Sequence, residues 1–446
     1  MKTNKSKENN NLKYSKPKRY FSLSIILLLV FLALLIKIAI IQFVQGSNLK
    51  ELATKQQTTS RIISAKRGTI YDSTGTALAI SADVDTITIN PSKFIKKEDS
   101  DTKDCQEKVA SGLSKIFELD YNETLAKVCS SNSVETIVQK VQKEKVSELQ
   151  KWMEENKISS GINIDEDTKR YYPYYNLASN LIGFCGSDNQ GLAGLEYYWD
   201  STLAGTPGKI TTAQYYAPEN GSNLTLTIDI NIQSIAEKYL EQACITNKCG
   251  NGGNVIIMNP NNGDILAMAT YPDYDLNTPF TPNETLSATW DTLSASAQSE
   301  ALQSMWKNTA ISSTYEPGSV FKVVIASAAL EENIAESDVP GVFYCSGSQV
   351  VADRKIDCAN SAGHGSQSLR QALQNSCNPA FIQLGQKIGA QTLYKYFEAF
   401  GLFNKTGIAT AGETSGIFHP LSAVRPVELA TTSFGQRFTI TPLQMA

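Results

Sequence analysis

Residues 314–325 read Thr314-Tyr-Glu-Pro-Gly-Ser-Val-Phe-Lys-Val-Val-Ile325, with a serine and a lysine three apart at the head of an apolar run. Pro317 and Gly318 end whatever precedes, and the run after them is long enough for a buried helix. On a helix, positions i and i+3 lie one turn apart on the same side, so Ser319 and Lys322 can touch. Ser319 falls in the first turn, where free backbone N–H groups and the positive dipole end favour developing negative charge. Lys322, followed by Val323, Val324, Ile325 and Ala326, is expected to be partly desolvated, which lowers its pKa and suits it to act as a base. A serine beside a neutral lysine is an activated nucleophile for acyl transfer. The bare Ser-x-x-Lys spacing also describes an ordinary helix start, so the rest of the chain has to decide.

At 446 residues the chain has room for two or three domains. Its net charge of −4 hides an asymmetry. Residues 1–19 carry seven basic side chains against Glu8, about +6, which leaves about −10 (−4 minus +6) for the remainder. An acidic body argues against nucleic acid as a partner. From Tyr20 to Val44 the chain is apolar almost throughout, with Lys37 the sole charge. That is long enough to cross a bilayer, and the preceding basic residues predict a cytoplasmic N-terminus and an exported remainder. A cleaved signal peptide is the competing reading, but its apolar core is usually shorter.

All eight cysteines lie beyond this span, where disulfides can form. Cys345, Cys358 and Cys377 cluster in sequence around the candidate site, and Cys244 and Cys249 are near neighbours. One bridge in either group and free buried thiols both remain open. With no Cys-x-x-Cys pair and only His364 and His419, the sequence offers little material for zinc, and no metal or cofactor is expected.

Along the chain, a polar connector expected to be helical covers 46–59. Strands are expected at 61–64, 68–71 and 83–90, with a turn at Asp72-Ser-Thr-Gly75. Amphipathic helices are expected over 105–117 and 134–154. A new unit begins near Asn223: a strand over 224–228, a helix capped by Asp229, and a hairpin of 255–258 with 265–269. The Ser319 helix, a Gly- and Cys-containing loop region (340–366) and a helix from Ser368 follow. Thr441-Pro442 reads as a helix N-cap with proline at the first position, so the chain is expected to be truncated as a helix starts.

A second constellation, Asn375-Ser-Cys-Asn-Pro379, places a hydroxyl and an amide two residues apart beside a proline. Together with Ser319-x-x-Lys322 it makes the chain resemble a class B penicillin-binding protein, a membrane-anchored peptidoglycan transpeptidase. The other carriers are Arg67-Gly-Thr-Ile-Tyr-Asp72, Gly191-Leu-Ala-Gly-Leu-Glu196, His364-Gly365, Phe434-Gly-Gln436 and Thr441-Pro-Leu-Gln444. The resemblance implies a mixed α/β (α+β) fold: a basic tail (1–19), a transmembrane anchor (20–44), a β-rich dimerisation or pedestal domain (45–222), and a transpeptidase domain (223–446) with a β-lactamase-like antiparallel sheet flanked by helices.

It also implies roles. Ser319 attacks the D-Ala-D-Ala stem peptide of peptidoglycan, Lys322 takes its proton, Ser376 relays a proton to the leaving amine, and Asn378 hydrogen-bonds Lys322 or the substrate. β-Lactams would acylate the same serine. Implied partners are the membrane, a membrane glycosyltransferase and a second copy of the chain. A serine β-lactamase and a β-lactam sensor share the Ser-x-x-Lys pair, but neither matches the region before Ser319. The family's third motif, Lys-Thr/Ser-Gly on a cleft strand, is expected beyond Pro442, so this chain is expected to be inactive as it stands. Lys405-Thr-Gly407 matches its letters but is expected to be a surface connection. Arg67, Asp72 and Glu196 are expected to be structural, in charge-paired turns, and His364 to be an ordinary loop histidine.

Overall fold

The computed structural model of the chain describes residues 17–45, 61–96, 99–210 and 215–446. The connector expected at 46–59 and most of the basic tail lie outside the described residues. Two compact units result, one formed by 1–62 with 209–217 and the other by 63–208 with 218–446.

In the first unit, Pro17–Ala39 is a continuous helix that ends in a π-turn, Ile40–Val44. Its 23 residues reach roughly 35 Å at 1.5 Å per residue, enough to cross a bilayer core. The segment Ile25–Gln42 is apolar, and none of it is buried against protein. A short antiparallel pairing, Lys209 with Tyr216 and Ile210 with Tyr215, belongs to the same unit.

The second unit opens on a five-stranded sheet built around one long strand. Its members are β1 (Ile70–Tyr71), β2 (Ala77–Ile89), β3 (Glu135–Val141), β4 (Ile162–Tyr171) and β5 (Leu224–Thr225). β2 and β4 pair antiparallel from Ile80–Tyr171 to Ile89–Ile162. α1 (Asp99–Phe117) covers this sheet with Val109, Ala110, Leu113 and Ile116, spaced to share one helix face. The single helix expected over 134–154 is corrected here. Residues 135–141 form β3 against β2, and the helix, α2 (Lys143–Glu155), begins only afterwards. The β-branched run Thr136-Ile-Val138 fits a pleated edge better than a helix.

The expected charge-paired turns are present, buried and tight. Glu196 is fully buried and bridges two arginines, with Oε2 2.5 Å from Arg67 Nε and Oε1 2.6 Å from Arg170 Nε. Arg67 also meets Asp200 at 2.7 Å. Asp72 is instead a hydrogen-bonded turn residue. Its Oδ1 accepts from the Thr74 and Thr76 amides, and its Oδ2 accepts from Ile230 N, at the start of the next helix.

That helix is α3 (Ile230–Thr246), capped by Asp229 as expected. It packs on the hairpin of β6 (Gly253–Met258) and β7 (Ile265–Tyr271) through Ala236, Leu240, Ala267 and Ala269. A helical layer follows: α4 (Lys322–Glu331), α5 (Leu369–Gln374), α6 (Asn378–Ile388), α7 (Ala390–Ala399) and α8 (Pro426–Thr432). α6 and α8 approach closely enough that a Cβ on Gly385 would lie 1.7 Å from Ser433 Oγ. The loop region expected at 340–366 holds two ribbons instead. β8 (Phe343–Cys345) pairs with β11 (Gly365–Gln367), and β9 (Ser348–Val351) pairs with β10 (Arg354–Asp357). The last turn, Pro442–Met445, has the Thr441–Gln444 capping box that its sequence calls for.

Candidate active site

Gly318 turns the chain with φ 62°, and its N–H donates to Gly435 O at 2.8 Å. The next residues form a 3₁₀ turn, Gly318–Phe321, before α4 begins at Lys322. The sequence suggests one continuous α-helix here. The difference favours contact, because positions i and i+3 eclipse in a three-residue turn. Ser319 is exposed while Lys322 is fully buried. Phe321, on the other side of the turn, is anchored between Phe397 and Phe438, with ring centroids 5.3 and 4.7 Å away.

Ser376 and Asn378 arrive on the link between α5 and α6. Ser376 takes a left-handed φ of 48°, rare for a residue with a Cβ and concentrated at functional sites. Cys377 N donates to Ala372 O and closes the link. Pro379 does not keep Asn378 out of the helix, as its sequence suggests. Asn378 opens α6 and Pro379 takes the second position, where its missing N–H costs nothing.

All four residues singled out in the sequence meet at one nitrogen. Lys322 Nζ lies 3.2 Å from Ser319 Oγ, 3.1 Å from Ser376 Oγ, 2.8 Å from Ser376 O and 2.7 Å from Asn378 Oδ1. The carbonyl and the amide oxygen can only accept. They occupy two N–H bonds, which leaves the third tetrahedral position facing the hydroxyls. In the neutral amine that position is a lone pair. Burial pushes the Lys322 pKa down to about 8, while the neighbouring Cys377 and Cys358 act in the opposite direction. The Phe381 ring, 5.3 Å from Nζ, is part of the apolar wall.

Lys405-Thr-Gly407 does not join this group. Glu413 accepts from Thr406 N, Thr406 Oγ1 and Gly407 N, which closes an exposed loop on itself.

Beside the Ser376–Asn378 link the structure assembles a second group. Of the two readings left open for the cysteines, the structure has the free thiols: Cys345, Cys358 and Cys377 are free and buried, as is Cys244, and Cys249 is free as well. The sulfurs of Cys345, Cys358 and Cys377 and a ring nitrogen of His364 lie within 4.8 Å of one another. Two glycines permit this. A Cβ on Gly347 would meet Ser361 O at 2.1 Å, and one on Gly363 would meet Cys345 O at 2.4 Å. Burial alone would raise the Cys345 pKa, but N–H donation from Gly347 and His364 brings it to about 7. Burial pushes Cys377 up to about 11. The sequence conceals this cluster because its smallest spacing is six residues (364 minus 358).

Residues 253–446 match the penicillin binding protein transpeptidase domain, and residues 62–217 match the penicillin-binding protein dimerisation domain. Stage V sporulation protein D of Bacillus subtilis is 33% identical over 435 residues, covering 93% of this chain and 62% of that protein. Peptidoglycan D,D-transpeptidase FtsI of Escherichia coli K12 is 25% identical over 437 residues, covering 94% and 68%. Among solved structures, a peptidoglycan synthetase from Bifidobacterium adolescentis superposes with a TM-score of 0.62 at 25% identity, covering 87% of this chain and 71% of that one. Penicillin-binding protein PBP2 of Helicobacter pylori, in complex with MreC, shares the fold at a TM-score of 0.67 and 22% identity, covering 87% and 76%. The chain belongs to the class B penicillin-binding proteins, with a dimerisation domain followed by a transpeptidase domain. It spans 62% of the length of the Bacillus sporulation protein.

Proposed function

We propose that the chain carries the acylation centre of a membrane-anchored peptidoglycan D,D-transpeptidase, with Ser319 as nucleophile and Lys322 as its base. The observation that carries this reading is the convergence of Ser319, Ser376 and Asn378 on the one buried amine. Ser319 Oγ attacks the carbonyl of the penultimate D-Ala of a stem peptide as Lys322 takes its proton. The C–N bond then breaks, a proton relayed through Ser376 goes to the departing amine, and D-Ala leaves an ester on Ser319. The amine of a second stem peptide attacks that ester, returns the proton to the Ser319 oxygen, and leaves the two peptides joined. Asn378 fixes the amine through Oδ1. β-Lactams enter by the same first step, and their opened ring stays attached to Ser319.

The helix from Pro17 serves as the anchor, and the basic residues before it favour a cytoplasmic N-terminus with the site on the outer side. That placement suits partnership with a membrane glycosyltransferase, and the dimerisation domain suits a second copy of the chain. The test uses the full-length gene product with nascent glycan strands bearing D-Ala-D-Ala stems. Cross-linked product and free D-Ala should appear together and vanish with Ser319→Ala. Undiminished D-Ala release by that variant contradicts the proposal.

A further inference from the structure

We propose that Cys345, Cys358, His364 and Cys377 are the four ligands of one zinc ion, which pins the Ser376–Asn378 link in place. The inference rests on the geometry of this cluster and does not depend on the reaction proposed above.

The donor set is three sulfurs and one imidazole nitrogen, a combination that tetrahedral zinc accepts as a closed structural site. With Zn–S near 2.3 Å and Zn–N near 2.0 Å, ligand atoms around such an ion stand roughly 3.5–3.8 Å apart. Cys358 Sγ and His364 Nδ1 are 3.5 Å apart, and no pair among the four exceeds 4.8 Å. Small side-chain rotations close the remaining distance. A disulfide explains the cluster less well, since three thiols leave one over and give the imidazole no role.

The surroundings are those of a metal site as well. Backbone N–H groups of Gly347 and His364 are directed at Cys345 sulfur, and the Gln367 side chain lies beside Cys377 sulfur. The Gln367 Nε2 is buried and has no hydrogen-bond partner among the described residues of the protein. Donors to coordinating thiolates of this kind orient the ligands and balance their charge. Binding releases the three thiol protons to solvent, and three thiolates with Zn²⁺ leave a net charge of −1.

The ion has a mechanical task that the chain leaves otherwise weakly done. β8 with β11 and β9 with β10 are two-stranded ribbons, which are marginal by themselves. One ion would tie β8 (Cys345), the end of β10 (Cys358) and the start of β11 (His364) to Cys377. Cys377 sits between Ser376 and Asn378, the two residues that grip Lys322. Asn378 Nδ2 also reaches Asp357 O, next to the ligand Cys358, at 3.5 Å.

The full chain, purified in detergent without metal resins or chelators, should contain about one zinc per polypeptide by plasma mass spectrometry. Zinc removal should lower the melting temperature by ~5 °C or more, and Zn²⁺ alone should restore it. Cobalt reconstitution should give the intense visible bands of a tetrahedral thiolate centre. Cys358→Ser and His364→Ala should lose the metal at least tenfold, His364→Cys should keep it, and Cys129→Ser, outside the cluster, should be unaffected. If a ligand variant fails to fold, zinc content and the cobalt spectrum of the unaltered chain still decide. The proposal is overturned by an unaltered chain that neither holds zinc nor takes cobalt, by a disulfide between two of the three cysteines, or by zinc retained in both Cys358→Ser and His364→Ala.

Discussion

The amine of Lys322 stands closer to Asn378 than to the hydroxyl it serves: 2.7 Å from Oδ1 against 3.2 Å from Ser319 Oγ. Because the amide oxygen can only accept, Asn378 holds one N–H and leaves the amine's remaining valence turned toward Ser319. Asn378→Asp replaces that neutral acceptor with a charge that favours the ammonium form. Acylation of the full-length protein by a fluorescent penicillin should slow by about 100-fold, the usual worth of a general base. Lys322→Arg should do at least as much damage, since a guanidinium keeps its proton. Near-normal acylation by either variant would remove Lys322 from the role of base.

Gly435 backs the Ser319 turn. Its φ is 83°, and a Cβ there would lie 2.0 Å from Gly318 O, against backbone that cannot swing aside. Gly435→Ala should therefore displace residues 317–319 and slow acylation by tenfold or more, without touching any group that reacts. Wild-type rates in this variant would show that the turn tolerates the shift.

Glu196 joins Arg67 and Arg170 with no solvent contact. Glu196→Ala would leave the buried Arg170 without a carboxylate and Arg67 with Asp200 alone, and should cost about 3–5 kcal/mol of stability in urea unfolding. Under native conditions, penicillin labelling of Ser319 by the surviving folded fraction should be normal. A loss below about 1 kcal/mol would mean that the arginines find other partners.

Glu237 gives the fold a pH dependence. Burial raises its pKa from 4.5 to about 7, although Gln233 and the Ala178 amide donate to it and act in the opposite direction. A carboxyl with a raised folded-state pKa contributes stability that is fully present below its unfolded value. That stability is lost as pH climbs from about 4.5 through 7. Glu237→Gln keeps the accepting oxygen and drops the charge. It should raise stability at pH 8 by on the order of 2 kcal/mol and change little at pH 4.5. Equal effects at both pH values would contradict this assignment.

Lys405 tests the other side of the account. Its Thr406 and Gly407 neighbours are committed to Glu413, so Lys405→Ala should leave penicillin labelling within about twofold of normal. A large loss would place this loop in the catalytic cleft.

Much of the site was legible because it is local. Ser319 and Lys322 are one turn apart in any helical geometry, and Ser376 and Asn378 share one link. The 3₁₀ form of the turn was not legible, since it depends on Gly318 meeting Gly435, more than a hundred residues away in sequence. The strand at 135–141 was missed because its partner, β2, decides between two periods that its own residues nearly balance. The sulfur and imidazole cluster was hidden for the same reason. Its ligands come from two ribbons and a helix link, and the pairing of β8 with β11, with Gly347 and Gly363 in close approach beside it, brings Cys345 and His364 together.

The most direct measurement is peptide mapping of the full-length protein after reaction with a β-lactam. The account predicts a single covalent adduct on the peptide that contains Ser319, absent from Ser319→Ala. An adduct on any other side chain, or one that persists in that variant, would contradict it.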